Sequence, residues 1–128
     1  SIENTGLYKG HAIFLGISKD KMTYREDGET HFDDGTKIAG FKNFIYQIND
    51  SNLDIFFDDG IDKGQKYLSI PLQDLDENSC ASDIYLCGED TYNCTYQIHD
   101  ENHFQIITKI SGPKKDYLLK ANYTRVVR

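Results

Sequence analysis

Tyr92-Asn93-Cys94-Thr95-Tyr96-Gln97-Ile98-His99, then Asp100-Glu101-Asn102, then Phe104-Gln105-Ile106-Ile107-Thr108-Lys109-Ile110-Ser111, then Gly112-Pro113-Lys114-Lys115-Asp116, and last a run from Tyr117 to Val127: this C-terminal third of the chain decides the fold. Large residues recur at alternate positions in the runs, which is the spacing of side chains along a strand. The pieces between them carry the Asp, Asn, Gly and Pro that turns require. The pattern is that of an antiparallel meander. The same third sets tyrosines, aspartates and a late arginine, Arg125, at strand spacing. Polar groups aimed inward are costly unless paired, so such residues mark a site or a locked network.

Working outward, the alternation continues upstream. Tyr8–Leu15 sets Tyr8, Gly10, Ala12 and Phe14 against Lys9, His11, Ile13 and Leu15, and Lys21–Glu26 puts Met22, Tyr24 and Glu26 on one face. Thr36–Ile48 aligns Ile38, Gly40, Lys42, Phe44, Tyr46 and Ile48, and shorter runs follow at Leu53–Asp58 and Lys66–Pro71. Turn signals stand at Asp27-Gly28, Asp34-Gly35, Asn49-Asp50 and Asp59-Gly60. About eight or nine strands with short connections predict an all-β fold, a closed or nearly closed antiparallel up-and-down barrel. Gly10, Gly16 and Gly40 inside strand patterns fit the bends and bulges that closure needs. Residues 72–84 alone lack alternation and carry helix-capping residues, which predicts one short helix or a lid across a barrel mouth. Residues 1–128 read as a single domain, with residues 1–7 as a disordered or expression-derived N-terminus.

Composition narrows the partners. The longest apolar stretches are about five residues, strand length rather than the span of a bilayer, so no membrane insertion is expected. With 14 basic and 21 acidic residues the net charge is −7, which speaks against a nucleic-acid backbone or an anionic membrane as partner. Nine tyrosines and no tryptophan suit a semi-polar interior, since each tyrosine brings aromatic volume and a hydroxyl in need of a partner. Three cysteines make poor material for a disulfide framework and favour a reducing, cytoplasmic setting. Cys80, Cys87 and Cys94 form no Cys-x-x-Cys pair and the histidines no ligand spacing, so neither a metal nor a cofactor is expected. Cys87 reads as a buried structural cysteine, and His11, on a strand, is a candidate for the interior.

The order Gly10-x-Ala12-x-Phe14, Met22-x-Tyr24-x-Glu26-x-Gly28, Phe44-x-Tyr46, Phe57-x-Asp59-Gly60, Cys87-x-x-Asp90-x-Tyr92-x-x-x-Tyr96, Gly112-Pro113-x-Lys115-Asp116-Tyr117 and Tyr123-x-Arg125 resembles an uncharacterised family of small lipocalin-like barrels, a domain of unknown function. The resemblance runs from Tyr8 to Arg125, with the Gly-Pro-x-Lys-Asp-Tyr segment as its most specific part. It implies a calycin-type barrel and no established activity. Tyr85 stands where the family pattern carries a histidine two residues before the cysteine, which counts against any chemistry resting on that base.

The candidate ligand-binding residues are Tyr24, Glu26, Tyr46, Tyr92, Lys115, Asp116, Tyr123 and Arg125. Arg125 has two readings: a fork holding a carboxylate or phosphate, or a strap that closes the barrel end. Lys115, in a turn, is either an anion-holding point charge or a solvated lysine. Asp90-x-Tyr92 reads as an Asx-type turn starting a strand, and Asp58–Asp62 as a solvated turn without the ligand pattern of a calcium loop. The leading functional expectation is binding of a small, partly polar molecule, an anion included, inside the barrel. Phe14, Tyr24, Phe44, Tyr46, Tyr92, Tyr96 and Tyr123 would form its walls, and Glu26, Lys115 and Arg125 its anchors. The alternatives are a small barrel enzyme, with Glu26 or Asp116 as acid/base and tyrosine donors, and a protein-interaction module with a filled barrel.

Overall fold

The computed structural model describes residues 4–125. The chain runs β1 (Asn4–Ser18), β2 (Lys21–Phe32), β3 (Lys37–Asn49), β4 (Asn52–Phe57), β5 (Lys66–Pro71), α1 (Leu72–Asn78), β6 (Cys80–Cys87), β7 (Asp90–Asp100), β8 (His103–Ser111) and β9 (Asp116–Thr124). The strands form one sheet in the order β5-β4-β3-β2-β1-β9-β8-β7-β6, curled into a nearly closed barrel. Asp34-Gly35, Asp59-Gly60 and Gly112-Pro113 fall in turns or bends, and Asn49-Asp50 and Asp100–Asn102 lead from the last residue of a strand into one.

One ladder departs from the purely antiparallel expectation. Asn4–Tyr8 of β1 pairs in parallel with Tyr117–Ala121 of β9. The reason is parity: in a meander of nine strands the ninth points the same way as the first, so a joint between them must be parallel. The gap in the ring lies between β5 and β6 instead, where no ladder forms among the described residues. Side chains close that seam. The Ser69 backbone N–H donates to Asp83 Oδ2 at 2.7 Å, and the Tyr85 ring packs on Phe57 and Tyr67 with centroids 5.4 and 5.2 Å away. Leu75 of α1 packs against the core beside it.

Three further expectations are corrected. Asp27-Gly28 is no turn; it lies inside β2, where Gly10, Gly28 and Gly40 face one another across three strands. A Cβ on Gly10 would strike the backbone of Asp27 and Gly28, and one on Gly28 the Lys9 carbonyl, so β1 and β2 approach too closely for side chains there. Residues 72–84 contain the expected short helix, α1, ending at a left-handed Ser79, but from Cys80 they belong to β6, whose outward, exposed apolar residues hide its alternation. Residues 4–7, read as part of a disordered lead, belong to β1, while residues 1–3 and the 126–127 end of the expected last strand lie outside the described residues.

Even-numbered residues of β1, β2 and β3 share the inner face because the strand register aligns them: Ala12 with Glu26 and Lys42, and Phe14 with Tyr24 and Phe44. The core gathers Tyr24, Tyr46, Ile55, Leu68, Ile70, Ala81, Cys94 and Tyr96. Ile55, Leu68 and Ile70 are essentially sealed from water, each stabilising the fold by about 1.5–3 kcal/mol.

Candidate functional site

Tyrosines dominate the centre of the barrel, and each hydroxyl there has to be accounted for. Tyr24 donates to the Tyr123 hydroxyl at 3.3 Å, and Tyr123 donates to Glu26 Oε2 at 3.1 Å, a relay from β2 to β9 and back. Tyr46 and Tyr96 share a 2.9 Å hydrogen bond between hydroxyls. Tyr67 and Cys94 Sγ lie 3.1 Å apart. Period two explains the set: Tyr24 and Glu26 are two apart on β2, and Cys94 and Tyr96 two apart on β7, all facing inward. Aromatic contacts fix the rings, with Phe14 4.7 Å from Tyr24 and Tyr24 5.3 Å from Tyr46.

These groups border a cavity of about 70 Å³ lined by Tyr8, Tyr24, Glu26, Lys42, Phe44, Tyr46, Tyr67, Cys94, Tyr96, Thr108 and Tyr123, among others. That is the liquid volume of roughly two waters, far below the roughly 300–1,000 Å³ of sites for drug-sized ligands. Glu26 is only 6% exposed, and among the described residues Tyr123 is its one hydrogen-bond donor. A carboxyl has room for several hydrogen-bond partners, so this one is under-supplied. The Tyr8 hydroxyl, also on the lining, is buried without a hydrogen bond of standard geometry. Burial, followed by the charge of Glu26 and a loose hydrogen-bonding interaction with its carboxyl, raises its pKa. Burial is likewise the main cause raising Tyr24, Tyr46, Tyr67, Tyr96 and Tyr123, so the cavity presents neutral phenols as donors. Burial also raises the Cys94 thiol, against hydrogen bonds from Tyr67 and Thr108. Lys42, largely exposed, reaches the rim with no ion pair among the described residues.

Of the eight candidate residues, Tyr24, Glu26, Tyr46 and Tyr123 come together on this cavity. The other four do not. Lys115 bridges Asp90 Oδ2 at 3.2 Å and stands 6.0 Å over the Tyr92 ring, and Asp116 accepts from Lys109 at 2.6 Å. The first pair clamps the β8–β9 turn onto the start of β7 and the second ties β8 to β9; the Asp90 carboxyl lies so close to Gly112 that a Cβ there would collide with it. Asp90 is therefore one jaw of a clamp, where an Asx turn was expected. Tyr92 is half-buried behind Lys115, and Arg125 is exposed beyond β9, its backbone N–H donating to the Asn102 carbonyl.

Other readings shift as well. Cys87 is exposed rather than buried, and Cys94 is the buried cysteine; all three are unpaired. His11 faces solvent with Lys9 and Ile13. Asp59 is half-buried and accepts from both the backbone and the side-chain amide of Asn43, at 2.8 and 3.2 Å. Among the lining residues missed in the sequence are Tyr8, Lys42, Tyr67, Cys94 and Thr108. Strand parity points to Tyr8, two before Gly10, and to Cys94, between Tyr92 and Tyr96. Tyr67 enters through an irregular register between β4 and β5 that no sequence signal marks. No metal-ligand cluster exists among the described residues, and none of their helices is long and apolar enough to cross a membrane.

A family model described as a family of unknown function (DUF6314) matches residues 1–125. No curated protein and no solved structure matches the chain.

Proposed function

The chain belongs to that family of unknown function, and from its core we propose that it binds a small, partly polar molecule inside the barrel. One observation carries this reading: the buried Glu26 carboxyl, with Tyr123 as its one donor of standard geometry, and the buried Tyr8 hydroxyl, which interacts with that carboxyl without a bond of standard geometry, border the same cavity. Buried polar groups are rarely left short, because each unmet hydrogen bond costs about 1–3 kcal/mol. A guest that donates to Glu26 and accepts from Tyr8 satisfies both. The cavity limits what enters to a few non-hydrogen atoms or the head of a longer molecule, with Tyr24, Phe44, Tyr46 and Tyr123 as aromatic walls. The carboxyl favours a donor group at this end, so any negative charge on the guest belongs near Lys42 at the rim. In an enzymatic reading Asp116, clamped to Lys109, stands outside the cavity and leaves Glu26 as the one carboxyl lining it.

The test is native mass spectrometry of gently purified protein, followed by denaturing extraction of whatever it carries. The expected result is a stoichiometric small molecule that Glu26→Gln and Tyr8→Phe lose while Leu86→Ser, on the outer face of β6, retains it. An apo mass, together with no chemical-shift change at the lining residues when small amines, amides and hydroxy acids are titrated in, would sink the proposal.

A further inference from the structure

We propose that the guest is a short amino acid in its zwitterionic form, its ammonium held at Glu26 and its carboxylate at Lys42. This rests on the reading above that the barrel binds a guest, and it names the class. Of the residues lining the cavity, Glu26 is the one carboxyl and Lys42 the one amine; the rest are aromatic, aliphatic, hydroxyl or thiol side chains. The two are also direct neighbours across the β2–β3 ladder. Opposite charges at such a position ordinarily pair with each other. Here they do not: the carboxyl takes its hydrogen bond from Tyr123, and no ion pair joins it to Lys42. Glu26 is buried, whereas Lys42 stays largely in water at the rim. The Lys42 ammonium nevertheless bears on the wall formed by β7. Burial raises the Cys94 thiol most, and the charge of Lys42 is among the influences that pull it back.

A guest with a single charge leaves one of these groups facing the wrong sign. A simple amine suits Glu26 but brings a cation toward Lys42; a simple carboxylate suits Lys42 but brings an anion toward Glu26. A zwitterion matches both. The cavity of about 70 Å³ encloses about two non-hydrogen atoms, the size of an ammonium nitrogen and its carbon. The rings of Tyr24, Phe44, Tyr46 and Tyr123 border that volume, and aromatic faces attract an ammonium more than a neutral hydroxyl. Its N–H groups give the under-supplied carboxyl charge-assisted hydrogen bonds. The guest's carboxylate, left outside the enclosed volume, meets Lys42 at the rim, where the reach of the lysine stem sets the chain length that fits.

The experiment is a chemical-shift titration of the full chain, read at the lining residues, with amino acids from glycine through β-alanine and γ-aminobutyrate to ε-aminocaproate. Each is compared with the alkylamine, the alkyl carboxylate and the hydroxy acid of the same length, up to about 10 mM, which reaches millimolar binding. One amino acid of the series is expected to bind at least about threefold tighter than all three of its matched controls. Lys42→Met is expected to bring it down to the affinity of the matched amine and to leave the amine itself no weaker. Glu26→Gln is expected to weaken both at least about tenfold. Lys42 is exposed, so its variant decides the matter alone should Glu26→Gln not fold. An amine, carboxylate or hydroxy acid that binds as tightly as the amino acid, or an amino acid indifferent to Lys42→Met, overturns the class while the barrel remains a binding protein. No shift at the lining residues with any of the four series overturns the class, and together with an apo mass it overturns the binding reading too.

Discussion

Tyr46 and Tyr96 offer a cycle in which two single substitutions cost more than both together. Their hydroxyls bond each other at 2.9 Å, and both residues are buried. Tyr46→Phe deletes a hydrogen bond and leaves the Tyr96 hydroxyl in apolar surroundings; Tyr96→Phe does the converse. A buried polar group stripped of its partner costs about 1–3 kcal/mol, whereas replacing both partners by apolar groups of the same shape is nearly neutral. The adjacent cavity admits about two waters, which can rescue the orphaned hydroxyl and draws each single toward about 1.5 kcal/mol. The double variant is then expected within about 1 kcal/mol of wild type, a coupling of roughly −2 kcal/mol. Urea denaturation at neutral pH, read at both tyrosine fluorescence and far-UV circular dichroism, measures all four proteins. Strict additivity, with the double variant losing the sum of the singles, would refute the claim that these hydroxyls satisfy each other.

Three other outcomes follow from the packing. Asp54 is 3% exposed and accepts from Ser69 Oγ at 2.6 Å and Asn49 Nδ2 at 3.3 Å, with Lys66 at 3.5 Å. Burial pushes its carboxyl up, but those hydrogen bonds and the ammonium outweigh it and hold the folded pKa below the ordinary value. A depressed folded pKa contributes stability that is complete above the unfolded value and lost as pH falls through the folded one. The urea midpoint should therefore drop below about pH 4 in wild type and drop less in Asp54→Asn, which itself loses about 2 kcal/mol at neutral pH; parallel pH curves would argue against the network. Gly28→Ala is expected to cost about 2–3 kcal/mol by pressing on the Lys9 carbonyl. Gly40→Ala, with open space, should fall within about 0.5 kcal/mol of wild type in the same melts, and equal effects would contradict the close approach of β1 and β2. Lys115→Met should cost no more than about 1 kcal/mol, because its bridge to Asp90 is half-exposed, and should leave the co-purified molecule in place; loss of that molecule would return Lys115 to the site.

Strand content was legible because alternation is a local property. Tyr24 and Glu26, or Ile106 and Thr108, share a face by backbone geometry alone, whatever surrounds them. The inner glutamate and its tyrosines were found for the same reason. Lys115 and Asp116 lie off the cavity, and a polar residue near a strand end reads alike whether it enters the barrel or clamps its rim; the difference lies in Asp90 and Lys109, which meet them only after folding, while Arg125 stands exposed beyond β9. Asp27-Gly28 has turn composition, yet the glycine serves a backbone approach to Gly10, a contact between strands. β6 shows no alternation in the sequence because its outward Ile84 and Leu86 are as apolar as an inner face.

The parallel ladder between β1 and β9 has a consequence for how the chain could be divided. On one side of it β1 to β5 form a continuous meander, on the other β6 to β9 form another, and besides that ladder the two are joined by the peptide link through α1 and by side chains across the β5–β6 seam and in the core. Each meander carries part of the interior: Tyr24, Glu26 and Tyr46 in the first, Cys94, Tyr96 and Tyr123 in the second. A nick within α1 would turn the protein into two complementary fragments whose reassembly restores the Tyr46–Tyr96 and Glu26–Tyr123 pairs at once. The barrel is, in that sense, two half-barrels joined covalently by a seven-residue helix and otherwise by one ladder and side-chain contacts.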